Sequence, residues 1–94
     1  MNIFTNEILQ LSAVADLVIE VGNDVYLCYL NAALRSGNTP LVQQNIWRIC
    51  KMRTETTTEN SVSVTRTYKE YPNGDMNFAF SPNDYLTYTY YFAR

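Results

Sequence analysis

The sequence predicts a mainly β fold, an antiparallel meander of about six strands that closes into a small sandwich or partial barrel, with one short N-terminal helix. Three observations lead there. From Val62 to Phe92, runs rich in Val, Thr, Tyr and Phe are cut by two tight turns, Pro72-Asn73-Gly74-Asp75 and Pro82-Asn83-Asp84. Gly22-Asn23 divides Leu17 to Val21 from Asp24 to Leu30, and offers the positive φ that a two-residue hairpin turn requires. Asn45 to Arg53 carries large apolar residues at both strand parities, which describes a strand covered on both faces.

Taken in order, Phe4, Ile8, Leu11, Ala15 and Val18 recur at steps of four and three and share one helical face. Thr5 is placed as N-cap, with Phe4 free to pack on Leu9, and the helix is expected to stop near Ala13 to Ala15. A competing reading extends it to Val21, with β-branched residues in its last turns. The Gly22-Asn23 hairpin comes next. Residues 31 to 44 form the longest connection, where Ser36-Gly37-Asn38 breaks the chain and Thr39 is set to cap one turn beginning at Pro40. In the strand from Asn45 to Arg53, the stems of Arg48 and Lys51 lie on apolar surface while their heads reach water.

Thr54 to Asn60 is polar and threonine-rich and reads as a mobile loop. The meander then runs Val62 to Tyr71, Met76 to Phe80 and Tyr85 to Ala93, with Asn73-Gly74 as its strongest hairpin signal. Alternation gives three apolar rows, read as one continuous apolar layer: Val62, Val64 and Tyr68; Met76, Phe78 and Phe80; Leu86, Tyr88, Tyr90 and Phe92. The expected organisation is one domain, 1–94, with a helical arm over 1–15 and a β domain over 16–94.

At 94 residues the chain removes only ~60 to 65 % of its unfolded surface from water, so a subunit that completes its core against neighbours is physically reasonable. Apolar residues make up 47 % and charged residues 17 %, which excludes a disordered chain and favours association. No apolar run approaches the ~18 residues of a membrane span and no basic n-region opens the chain, so production in the cytoplasm, away from membranes, is expected.

Cys28 and Cys50 sit in apolar runs outside any Cys-x-x-Cys spacing and read as buried thiols. Histidine is absent, which removes the commonest general base and metal ligand, so no metal, cofactor or catalytic residue is assigned. Glu70, Asp75 and Asp84 near the turns supply carboxylates, but turn Asp and Asn ordinarily bond their own backbone. The chain is read as a non-enzyme.

Residues 1 to 34 carry Glu7, Asp16, Glu20 and Asp24 and no base, giving −4, while residues 35 to 94 carry seven bases against five acids, giving +2. The bases Arg48, Lys51, Arg53, Arg66 and Lys69 fall close together in sequence, and complementary patches of this kind steer association between copies. They are interface candidates, as are Phe4, Ile8 and Leu11 on the helix and Tyr85 and Tyr91 in the last strand. Nucleic acid is not an expected partner, because the domain is acidic overall.

Tyr26-Leu27 with Asn31-Ala32, then Trp47-Arg48-Ile49-x-Lys51, then Tyr71-Pro72-Asn73-Gly74-Asp75-x-x-Phe78, and finally Leu86-Thr87-Tyr88 resemble a group of small β-rich proteins encoded by tailed bacteriophages. The likeness covers roughly residues 25 to 90. Cys28 stands where that pattern usually has glycine, and the usual tryptophan with Asp-Asp-Arg near the last turn is reduced here to Phe80, Asp84 and Tyr85. No activity attaches to the group. The resemblance implies a virion component: a multi-copy structural subunit of decoration, neck, tail or fibre-associated type, partnered by its own copies and other virion proteins. The alternative is a small phage-encoded binding module, a host-factor inhibitor or carbohydrate binder. It would use Tyr85, Tyr88, Tyr90 and Tyr91 with Trp47 as an aromatic platform.

Overall fold

The computed structural model describes residues 14–94, so the N-terminal helix, its Thr5 cap and the candidates Phe4, Ile8 and Leu11 lie outside the described residues. The described chain is mainly β. Five strands, β1 (Leu17–Val21), β2 (Asp24–Leu30), β3 (Trp47–Glu59), β4 (Val62–Pro72) and β5 (Tyr90–Tyr91), form one open sheet in sequence order. Every neighbouring pair is antiparallel. The sequence predicts about six strands; five are found among the described residues, and these form no second sheet.

The first hairpin obeys the sequence signal. Val21 pairs with Asp24 across Gly22-Asn23, and Gly22 has φ +59°. Leu17–Val21 is therefore a strand, and the reading that prolongs the helix to Val21 is set aside. Strand β3 begins at Trp47 and is covered on both faces. Val25, Leu27, Cys50, Met52 and Tyr71 pack on one side, the Leu27 face. Tyr26, Cys28, Trp47 and Ile49 pack on the other, the Trp47 face, with Ile46 and Phe80 laid over them. Both cysteines are buried thiols in no disulfide, and they belong to opposite faces.

Three expectations are corrected. Thr54 to Asn60 is not a loop, because β3 continues to Glu59 and the chain reverses at Asn60-Ser61, with φ 51° and 64°. β-Branched threonines suit the pleat, and each finds a cross-strand partner on β4, from Thr54↔Thr67 through Thr58↔Ser63. Met76 to Phe80 is not a strand, and only Phe80 makes a bridge, to Trp47. Tyr85 to Ala93 keeps only Tyr90–Tyr91 in the sheet, after a 3-10 turn over Pro82–Asp84. The Asn73-Gly74 turn does form, with φ 55° and 71°, and Gly74 N and Asp75 N donate to Tyr71 O and Pro72 O. The segment after this turn is irregular because Asn73 N donates to Thr89 O and Gly74 O accepts from Arg94 N, ties to the chain end instead of a hairpin partner at 76–80.

The three apolar rows accordingly do not merge into one layer. Val62, Met76, Leu86 and Phe92 are exposed, while Phe80 is buried. In the long connection the expected turn appears as a 3-10 turn over Leu41–Gln43, preceded by Pro40, but no side chain caps it. Thr39 contributes its carbonyl instead, which accepts from Gln44 Nε2 at 2.7 Å. An unforeseen turn over Ala32–Leu34 is capped by Asn31, whose side chain accepts from Ala33 N.

Trp47 joins these pieces. Its N–H donates to Phe80 O at 2.9 Å, its carbonyl accepts from Phe80 N at 3.1 Å, and its indole Nε1 donates to Leu41 O at 2.8 Å. Trp47→Ala is expected to cost roughly 3 to 5 kcal/mol, as for other buried aromatics, and to release both irregular segments. Denaturant unfolding checks this, and an unchanged midpoint would refute the assignment.

Gly74 and Gly37 both have positive φ, +71° and +64°, but differ in their surroundings. A Cβ at Gly74 would sit 2.8 Å from Phe92 O and 2.7 Å from Arg94 Cγ, whereas a Cβ at Gly37 meets nothing within 4 Å. Gly37→Ala should lose only the ~1 to 2 kcal/mol of left-handed backbone. Gly74→Ala should lose more, and equal unfolding midpoints for the two variants would disprove the tight approach of the chain end.

Candidate functional site

Alternation along β3 and β4 divides the basic cluster that looks continuous in sequence. On the Leu27 face, Arg48 and Lys69 line a groove of about 280 Å³ with Val14, Tyr29, Cys50 and Tyr71. Arg48 also reaches past the strand end, where its Nε donates to Met76 O and its guanidinium lies 4.5 Å from the Phe78 ring centroid. The groove is smaller than the ~300 to 1,000 Å³ typical of small-molecule sites.

Lys51, Arg53 and Arg66 belong to the Trp47 face, and each is engaged within the chain. Lys51 Nζ is 3.8 Å from Asp24 Oδ2 and 5.6 Å from the Tyr90 ring centroid. Arg53 Nε donates to Glu70 Oε1 at 3.1 Å, with its guanidinium 4.6 Å from the Tyr68 ring, and the hydrogen bond to Glu70 raises its pKa further. Arg66 Nη2 is 2.9 Å from Glu59 Oε1. The acids of the N-terminal part are partly committed as well. Besides the Asp24 pair, Asp16 Oδ2 accepts from Leu30 N at 2.8 Å.

The tyrosines form a packed cluster on the Trp47 face. Tyr26 meets Tyr85 at 4.9 Å and Tyr90 at 5.4 Å, and Tyr88 meets Phe80 at 5.2 Å, all edge to face. Their hydroxyls are used locally: Tyr90 donates to Tyr85 O at 2.8 Å, and the Tyr88 oxygen accepts from Ser81 N at 2.9 Å. Tyr85 is half-buried in this cluster. Tyr91 stands outside it, is 47 % exposed, and has the Arg94 guanidinium 5.3 Å from its ring centroid.

The turn carboxylates do not converge on one site. Glu70 pairs with Arg53, Asp75 Oδ1 accepts from Asn77 N, and Asp84 lies in the first turn of the 3-10 segment. No group of three His, Cys, Asp or Glu side chains with metal-holding geometry occurs among the described residues.

The largest feature that residue-by-residue scanning overlooked is a ribbon. Strand β2 accompanies β3 only as far as Asp24↔Arg53, so the six pairs from Thr54↔Thr67 to Glu59↔Val62 continue as two strands alone. At about 3.4 Å per residue they extend the sheet by roughly 20 Å. One ribbon face is a hydroxyl surface, Thr54, Thr56 and Thr58 beside Ser63, Thr65 and Thr67, with Thr56 Oγ1 3.0 Å from Thr65 Oγ1. The period-two threonines on both sides of Asn60-Ser61 carried this signal in the sequence.

Compared with protein-family models, with curated proteins and with solved structures, the chain has no match. Its own geometry carries the functional argument. That geometry comprises a two-stranded ribbon, exposed Leu86, Tyr91 and Phe92 near the chain end, and ion pairs at Lys51, Arg53 and Arg66.

Buried acids on both faces hold their protons. Burial, helped by Cys50, pushes the Cys28 thiol from 9.0 to about 12, and burial followed by the Cys50 thiol pushes Tyr71 from 10.0 to about 12. A raised pKa means the fold binds a proton that the unfolded chain gives up first. Stability from these groups is complete below pH 9 and declines as pH climbs through 9 to 12. Tyr71→Phe should flatten that decline above pH 10, as read by denaturant titrations at stepped pH. An unchanged slope would show that Tyr71 ionises freely in the fold.

Proposed function

We propose that this protein is a non-enzymatic structural subunit of a tailed-bacteriophage particle, present in many copies, of decoration, neck, tail or fibre-associated type. The observation that carries this reading is the projecting ribbon. An isolated two-stranded hairpin is at best marginally stable in water, and this one sets hydroxyls and ion pairs, not an apolar core, against solvent. Docking against a neighbouring subunit supplies the missing layer. The molecule is long for its mass, 56 Å by 25 Å by 19 Å, which suits a part that spans between neighbours more than a lone binding domain.

The phage particle as its setting is taken from the resemblance of the Trp47 strand and the Asn73-Gly74 turn to small phage proteins. The aromatic platform of a binding module gains no separate support, because Tyr85 and Tyr90 pack on Tyr26, Tyr88 packs on Phe80 and Tyr90, and Trp47 is buried.

Two measurements test the proposal. Sedimentation of the purified protein at tens of micromolar should show species heavier than the 10.9 kDa chain. Mass spectrometry of purified particles of the phage that encodes it should find the protein at many copies. Absence from the particles would overturn the virion assignment, and a strictly monomeric protein would overturn self-assembly.

A further inference from the structure

The ribbon leaves several strand edges open among the described residues. The outer edge of β1 offers five residues, Leu17–Val21, and its sheet partner β2 takes the other side. The outer edge of β3 is open only over residues 54–59, because β2 blocks it from Arg53 backwards. The outer edge of β4 is the longest, since β5 pairs only at Tyr71 and Pro72, and on that side residues 62–68 meet no described strand. That stretch, Val-Ser-Val-Thr-Arg-Thr-Tyr, contains no proline and no lysine, which commonly blunt an exposed edge, and its one charge, Arg66, is paired with Glu59.

We propose that two copies of this chain pair through this edge, β4 against β4, antiparallel about a two-fold axis at Thr65. The inference rests on the multi-copy reading of the protein. Symmetry, strand parity and charge together select the partner and the register. A strand paired with its own copy about a two-fold forms a closed, isologous contact, and antiparallel pairing keeps like side chains on one face only when the two residue numbers on each rung share parity. Centring on Thr65 uses the open stretch completely: Val62 faces Tyr68 of the second copy, Ser63 faces Thr67, and Val64 faces Arg66. No two like charges oppose each other, and the hydroxyl face of one ribbon runs on into the other.

The neighbouring registers fail on the same residues. Moving the axis to Arg66 sets two guanidinium groups opposite each other. Moving it to Thr67 sets Ser63 opposite Tyr71, whose edge β5 occupies. Moving it back to Ser63 or Val64 shortens the ladder and leaves Tyr68 without a rung. The Thr65 register therefore joins the two ribbons into a four-stranded span. Each ribbon gains the extra strands that an isolated hairpin lacks.

Spin labels on single cysteines at positions 63, 65 and 67 test the register, since Cys28 and Cys50 are buried. Pairing about Thr65 predicts the shortest label separation for Thr65→Cys. For Ser63→Cys the two labels should be offset along the strands by about 13 Å, because moving two residues from the axis on both strands adds about four rises of 3.3 Å. Ser63→Cys and Thr67→Cys should give equal separations, as they lie on one rung. Thr65→Lys, which sets two ammonium groups at the axis, should sediment as the smaller species with an unchanged circular dichroism spectrum. An assembled protein whose separations do not show this progression, or whose Thr65→Lys variant assembles as before, overturns the β4 pairing and leaves the multi-copy reading standing. A protein that is monomeric throughout overturns both.

Discussion

The fold hangs on the start of β3. Trp47 is the residue at which three kinds of structure meet: a central strand, the 31–46 connection through its indole N–H, and the 73–94 segment through two backbone hydrogen bonds to Phe80. Neither of those segments has enough regular pairing to hold its own shape. What they have instead is a set of side chains, Ile46, Leu41, Phe80, Tyr85, Tyr88 and Tyr90, that pack over the Trp47 face. Ser81 reinforces the junction, with Oγ donating to Val42 O at 2.7 Å and its N–H donating to the Tyr88 oxygen. The two long irregular stretches are thereby clamped to each other as well as to the sheet. A single indole orders nearly half of the described chain because its polar edge and its apolar body face different elements.

Where local chemistry alone decides the outcome, the sequence was legible. Gly22-Asn23 and Asn73-Gly74 demand positive φ, and both turns are found there. The double-parity apolar run around Trp47 and Ile49 had to be covered on two faces, and it is. Where the outcome depends on which strand arrives alongside, sequence reasoning failed. The aromatic alternation of Leu86, Tyr88, Tyr90 and Phe92 looks like a strand, but hydrogen bonds from Asn73 and Arg94 and the bridge at Phe80 route the chain over the sheet instead of along it. Thr54 to Glu59 failed in the opposite sense. Its residues have strand propensity without hydrophobicity, and a search for an apolar side to bury has no way to notice a ribbon held by its own cross-strand pairs.

The charge pattern shows the same limit. Arg48, Lys51, Arg53, Arg66 and Lys69 form a patch when written in a line, yet the pleat sends Arg48 and Lys69 to one face and the other three to the opposite one. Register then gives Lys51 an acid from β2 and Arg53 an acid from β4. Exposed pairs of this kind contribute little to stability, about 0 to 1 kcal/mol each, so their main effect is to remove a basic surface that would otherwise attract anions. The asymmetry between an acidic first third and a basic remainder is thus partly consumed inside one chain, which leaves electrostatics a minor part of the proposed assembly.

In the proposed assembly, backbone pairing is the stronger source of association. The body of the domain has no such need: its central strands β2 and β3 are flanked on both sides, and both of their faces carry buried apolar clusters. The ribbon inverts that arrangement, with eight β-branched residues in its twelve strand positions and its edges open. High strand propensity lowers the cost of holding the backbone extended, and the ion pair of Arg66 with Glu59 leaves the ribbon with little net charge to repel a copy of itself. A segment built only for solubility would carry lysine or proline on that edge. One that is extended and almost neutral suits another strand, and in the proposed pairing the rung partners available on β4 make a second copy of the same strand the best-matched one.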